Sequence, residues 1–366
     1  MYNIIITIIA FILPIIHNAP RDLSATLELI YSSGNYALEI TIGTPPQSFE
    51  CYISTVLPKL YLPVYSSFVN LIKSTSQSVF EPHLSSTFTK ENSYPIPLHQ
   101  LSSKGYISTD KLTFSFKHSL NQFQFITLTE GHNIGKTFSC SVGFEYLVNE
   151  ANDNSFSIIN SLYSSGQIYI RVFYIIKNQH DSSFSIGKYP PNFLELSYRY
   201  QYKKCSLVSS KTHPHLWQCQ LNSIYFSDMN DVIEINKELT WSFGGNVNCV
   251  NEEFYNVMKE KYFRNAISMH ECHEVLESDR IHLDCNSRFE INGDPTISYV
   301  FGKWNMKFKL NELFVSGNHD RKWFGIMRCK EGYLDFNWSI GLFHIKKGTF
   351  LFDKEKKLFA YSESVK

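Results

Sequence analysis

Apolar side chains alternate with other residues at Tyr36, Leu38, Ile40 and Ile42, and the alternation resumes at Phe49, Cys51 and Ile53. A period of two marks a half-buried strand. Between the two runs stands Gly43-Thr44-Pro45-Pro46. Proline fixes φ and removes a donor, so the pattern predicts a β-hairpin. The stretch Glu50–Val64 then reads as a strand, a tight turn at Ser54-Thr55-Val56, and a second strand framed by Leu60 and Leu62.

Two segments carry the helical period instead. Phe156, Ile159, Leu162 and Tyr163 share one face, with Gly166 placed as a C-terminal cap. Asn251 precedes Glu252 and Glu253, an N-cap and acidic first turn that suit the helix dipole; Phe254, Val257 and Met258 continue the apolar face. Everything else reads as strand and turn. No low-complexity linker interrupts the chain. The softest boundary is Lys188-Tyr189-Pro190-Pro191-Asn192, between two strand-rich halves.

The halves echo each other. In the first, a strand enters Ile53-Ser54-Thr55-Val56, and Cys140-Ser141-Val142-Gly143 follows much later. In the second, a strand enters Trp241-Ser242-Phe243-Gly244, and Trp338-Ser339-Ile340-Gly341 follows. This suggests an internal duplication with a site between two lobes, where clefts commonly form.

Composition agrees with a β-rich chain that buries a large core. Of 366 residues, 43% are hydrophobic, and 29 Phe and 22 Tyr favour strands. Formal net charge is zero with the cations dispersed, which argues against nucleic acid as the main partner. The apolar run Ile4–Ile16 is short for a membrane span and fits the core of a signal peptide, although no Lys or Arg precedes it. A retained anchor or buried segment is the alternative. The reading is a signal peptide over residues 1–19 and a secreted, soluble chain with no membrane partner after its removal.

Eight cysteines fit a secretory context and imply disulfides whose connectivity counting does not give. His270-Glu271-Cys272-His273 is a local ligand cluster, but no second cluster completes a tetrahedral set, so neither a metal nor a cofactor is expected. Asn337-Trp338-Ser339 is a glycosylation sequon entering a strand expected to be buried, and is read as unused.

Several motifs resemble the pepsin-like aspartic peptidases (family A1), from about Tyr36 to about Tyr361. YALEITIGTPPQSF is similar to the family's first hairpin, FEPHLSSTF to its Phe-x-Pro-x-x-Ser-Ser-Thr-Phe turn, and LWQCQLNSIYF to its Trp-Gln segment in the second lobe. WSIGLFHIKKGTFLFDKEKKLFAY resembles its C-terminal Trp-x-[Leu/Ile]-Gly block and final hairpin. The resemblance implies an all-β, bilobal acid-protease fold of two pseudo-symmetric barrel-like lobes. The expected division is an N-terminal lobe over 31–191 and a C-terminal lobe over 192–366.

In that family each lobe supplies Asp-Thr-Gly, and the paired aspartates share a proton and activate a water. Aligned on the family, Ser54 and Ser242 stand at the two aspartates. Val56 replaces the first glycine, Phe243 replaces the second threonine, and Thr55 and Gly244 are retained. At the flap, Leu98 stands at the tyrosine position and His99 at the next glycine. A serine hydroxyl cannot act as the general base that a carboxylate of pKa about 3.9 provides. The alternative is that working aspartates lie elsewhere, at Asp110, Asp284 or Asp353; no Asp in the chain is followed by Thr-Gly or Ser-Gly. The family's longer pro-segment has no counterpart in the short stretch before Tyr36.

The resemblance further implies a Cys285–Cys329 disulfide in the second lobe, and makes Cys51 and Cys140 strand neighbours able to bond. Cys205–Cys219 is read as closing a hairpin, with Cys249–Cys272 as the remaining pair. The expected protein is a monomeric, inactive homologue whose cleft holds a peptide, a protein segment or a hydrophobic ligand. Two alternatives stay open: an active aspartic-type endopeptidase or hydrolase with a rearranged site, and a surface interaction protein with a vestigial cleft.

Overall fold

The computed structural model describes residues 23–363 except 33–34, 58, 65–78, 93–95, 99–102, 116–117, 131–139, 145, 147–155, 179–181, 192, 195–201, 209–215, 230, 244–247, 278–279, 318–319, 330–337, 342–344 and 346–347. The signal-peptide reading over 1–19, His99, Gly244 and Asn337 lie outside the described residues.

The opening hairpin forms as its alternation requires. Strand Asn35–Ile42 pairs antiparallel with Gln47–Ser54, from Ala37 opposite Tyr52 to Ile42 opposite Gln47. Leu38, Ile40, Ile42, Phe49, Cys51 and Ile53 are all buried. Gly43 turns the chain at φ +93°, where a Cβ would lie 2.9 Å from Ser85 Oγ, so both backbone and space demand glycine. This hairpin belongs to a nine-stranded sheet built from the first half, whose longest members are Ser103–Ser115 and His118–Glu130.

The second half builds two sheets. One has five strands, including Gln218–Phe226 and Val232–Ser242; the other has six, including Arg280–Asn286 and Ile326–Cys329. A further six-stranded sheet takes strands from both halves. Ala25–Glu28, Ser183–Ile186 and Val172–Lys177 join Gly348–Asp353, Leu358–Ser362 and Lys203–Ser206. Its centre is the pairing of Phe173 with Phe352, whose rings stack at 4.6 Å. Trp217 packs edge-on against both, at 5.6 and 5.1 Å. The core thus runs from one half through the shared sheet into the other.

The helices follow their local signals. Ile158–Ser164 starts at Ser157, whose side chain accepts from Asn160 N, and ends before Gly166 at φ +68°. Glu252–Tyr262 starts at Asn251, whose Oδ1 accepts from Phe254 N at 3.0 Å. A five-residue helix, Arg264–Ser268, follows directly; it is too short for a periodic signal.

Four disulfides form. Cys51–Cys140 joins residues directly opposite on parallel strands, and Cys205–Cys219 joins neighbours 14 residues apart in sequence. The other two correct the sequence reading: Cys249 bonds Cys329 and Cys272 bonds Cys285. Register is the reason. Cys272 faces Cys285 across antiparallel strands, with Cα atoms 4.0 Å apart. Cys329 instead faces Arg280, five residues along the same strand from Cys285. That is roughly 16 Å at strand rise, beyond disulfide reach. Cys249 faces Met327 on a parallel strand, so Cys329, two residues on, shares its face.

Candidate functional site

Ser54 and Ser242 occupy equivalent places. Ser54 ends the strand Gln47–Ser54 and lies opposite Gly143 on a parallel neighbour. Ser242 ends the strand Val232–Ser242 and lies opposite Gly341 on a parallel neighbour. Each half therefore delivers a serine from a strand end beside a glycine, as the echo in the sequence suggests. Both serines are buried.

Thr55 ties the two places together. Its Oγ1 donates to Trp241 O at 2.7 Å and accepts from Phe243 N at 2.7 Å. Its own N–H donates to Phe243 O at 3.2 Å. These partners flank Ser242 in sequence, so the residue after Ser54 brackets Ser242. Phe243 brings no hydroxyl to answer from its side; its ring packs near Tyr36 (6.1 Å) and Phe350 (6.3 Å) instead.

The loop around Ser54 is closed on itself. Ser54 Oγ accepts from Val56 N at 3.2 Å and Leu57 N at 2.9 Å, a local side-chain turn. Ser54 O accepts from Phe144 N at 2.7 Å, and Phe144 O accepts from Trp217 Nε1 at 2.7 Å. Val56 is buried with Leu216 from the other half as a small apolar pair. On the Ser242 side, Asn248 Oδ1 accepts from Gly341 N at 2.8 Å.

The flap position is described only in its backbone: Leu98 ends the strand Ile96–Leu98 and pairs with Ser103. Leu216 and Lys177 escaped the sequence reading. Lys177 ends an apolar strand and is buried, with Nζ 5.2 Å from the Tyr36 ring. Burial lowers its pKa to about 8. The only advance signal was a lysine closing the apolar run Val172–Ile176.

The three alternative aspartates hydrogen-bond elsewhere. Buried Asp110 accepts from Thr87 Oγ1 at 2.5 Å and from Lys111 N at 2.7 Å. Asp284 pairs with Arg321 Nε at 3.0 Å. Buried Asp353 accepts from Tyr189 OH at 2.8 Å and Lys356 N at 2.8 Å, within the shared sheet. In the His270–His273 stretch, Cys272 is consumed by its disulfide and His273 Nδ1 lies 2.7 Å from Arg321 Nη2.

Chemically, the crossing presents two hydroxyls, a bridging threonine and apolar neighbours. Hydroxyls can donate and accept hydrogen bonds. A serine becomes a nucleophile only with an adjacent base. Residues 35–362 match the family described as eukaryotic aspartyl protease. No curated protein matches the chain.

Proposed function

Because this chain belongs to the eukaryotic aspartyl protease family, we propose that it is a secreted, catalytically silent member whose cleft serves as a binding surface. Ser54 and Ser242 are taken to stand at the two catalytic aspartates. The observation that carries this reading is the Thr55 bridge, which sets the residue after Ser54 against the residues on either side of Ser242. In the family's chemistry one carboxylate takes a proton from water while the other is protonated and polarises the peptide carbonyl. Two hydroxyls supply no base to take the proton from water and no carboxylate pair to share one.

The ligand class follows from what the site keeps and loses. Ser54 and Ser242 carry no charge, and their neighbours Val56, Leu216 and Phe243 are apolar and buried. A peptide, a protein segment or a hydrophobic ligand suits such a groove. Four disulfides and the apolar run Ile4–Ile16 support secretion. Among the described residues no helix is long and apolar enough to cross a membrane.

Calorimetric titration with a statine-containing peptide tests the reading. Its central hydroxyl needs a carboxylate pair, so the dissociation constant is expected to be weaker than about 1 μM, or −8.2 kcal/mol. Tighter binding contradicts the assignment of the two serines.

A further inference from the structure

The shared six-stranded sheet has two faces, and only one of them supports the site. Side chains alternate across a strand. Phe173, Phe352 and Phe359 point into the main core with Trp217. Val172, Tyr174, Leu351 and Ala360 form a separate cluster on the other face, with Phe193, Tyr189 and Ile170 packed against it. On that outer face lies a groove of about 390 Å³ lined by Tyr169, Ile170, Lys188, Tyr189, Pro190 and Leu194. Ligand sites commonly hold about 300–1,000 Å³.

The groove keeps apolar side chains in water. Tyr169 is 60% exposed and Leu194 56%. Its base is fixed: Tyr189 OH donates to buried Asp353 and the Tyr189 ring stacks on Phe193 at 5.2 Å. Among the described residues, Lys188 is the one charged residue in the lining. Further cations stand on the same aromatic platform. Lys356 Nζ lies 4.3 Å from the Tyr189 ring and 3.9 Å from Asp353 Oδ2, with its side chain half exposed, and Lys204 Nζ lies 4.8 Å from the Phe193 ring. Among the described residues the nearby acids are committed: Glu355 pairs with Arg171 at 2.8 Å, and Asp353 is buried.

We propose that this outer groove is a second docking site, separate from the cleft, for an acidic peptide segment that inserts one apolar side chain. The recess between Tyr169, Tyr189 and Leu194 takes the apolar anchor. Lys188, Lys356 and Lys204 face the flanking carboxylates, and charge complementarity selects an acidic partner over a basic one.

The test is a calorimetric titration of the full secreted chain with the pentapeptide Glu-Asp-Phe-Asp-Glu at low salt. Binding with a dissociation constant below about 1 mM is expected. Replacing the peptide's Phe by Ala weakens it by about tenfold, through the lost apolar burial. Lys188→Glu and Leu194→Ser each weaken it by at least about tenfold through lost charge and apolar complementarity. Leu194 is exposed and Lys188 half-buried, and an unchanged far-ultraviolet spectrum verifies the fold. No binding at 1 mM peptide (about −4.1 kcal/mol) overturns the proposal. So does affinity unmoved by either substitution, or equal affinity for Lys-Lys-Phe-Lys-Lys. Binding of phosphatidylserine vesicles that Lys188→Glu abolishes, without peptide binding, assigns the face to lipid and overturns it as well.

Discussion

Thr55 Oγ1 accepts the backbone N–H of Phe243 at 2.7 Å, and the same hydroxyl donates to the carbonyl on the other side of Ser242. One fully buried threonine thus fastens the strand end that carries Ser54 to the residues on either side of Ser242. Thr55→Ala strands two buried backbone groups, each costing about 1–3 kcal/mol when unpaired. The expected result is a loss of about 2–6 kcal/mol in urea unfolding, on the same principle. Thr55→Ser, which keeps the hydroxyl, loses much less. Equal losses for both substitutions show that the methyl group, not the bridge, carries the stability.

Acid sensitivity is expected at His282. The ring is buried, packs edge-on near Trp323 at 6.3 Å, and leaves Nδ1 without a partner. Burial, the largest influence, lowers its pKa below the ordinary 6.5, although Glu277 and Asp284 pull upward. The unfolded chain therefore binds more protons below pH 6.5. The stabilisation is complete above that pH and is lost as pH falls through 6.5 towards the folded-state value. His282→Leu should shrink the drop in urea midpoint between pH 7.5 and pH 5. An unchanged drop assigns the acid sensitivity to other groups.

Much of this architecture was legible because its signals are local. The first hairpin announces itself through period-two alternation and Gly43-Thr44-Pro45-Pro46, and the helix after Asn251 through its cap. What was not legible depends on register between distant strands. Nothing near Cys285 says that Cys329 lies opposite Arg280, yet that register decides two disulfides. The sheet shared by Val172–Lys177 and Gly348–Asp353 was missed for the same reason, as was the contact of Val56 with Leu216. At the candidate site the sequence offered Ser54 and Ser242 through the resemblance alone; the bracketing of Ser242 by Thr55 needed coordinates.

Restoring the aspartates alone should not restore ordinary peptidase activity. In Ser54→Asp/Ser242→Asp, Val56 still fills space beside Leu216, and Phe243 still offers no hydroxyl to complete the bridge. Misplacement by about 1 Å can cost on the order of 100-fold in rate. The double substitution is expected to cleave at least about 100-fold more slowly than one also carrying Val56→Gly, Phe243→Thr and Leu98→Tyr, on that geometric argument. Equal rates confine the defect to the two serines.

The proposed function requires that the crossing of the two halves hold no general base; among the described residues it presents only the hydroxyls of Ser54, Thr55 and Ser242. The most direct measurement is proteolysis of a denatured protein substrate by the purified chain, followed across about pH 2–7, the range in which carboxylates of pKa near 4 act as bases. No turnover above the substrate-alone control is predicted at any pH in that range. Turnover that persists through purification to homogeneity and disappears in a Ser54→Ala/Ser242→Ala protein contradicts the account.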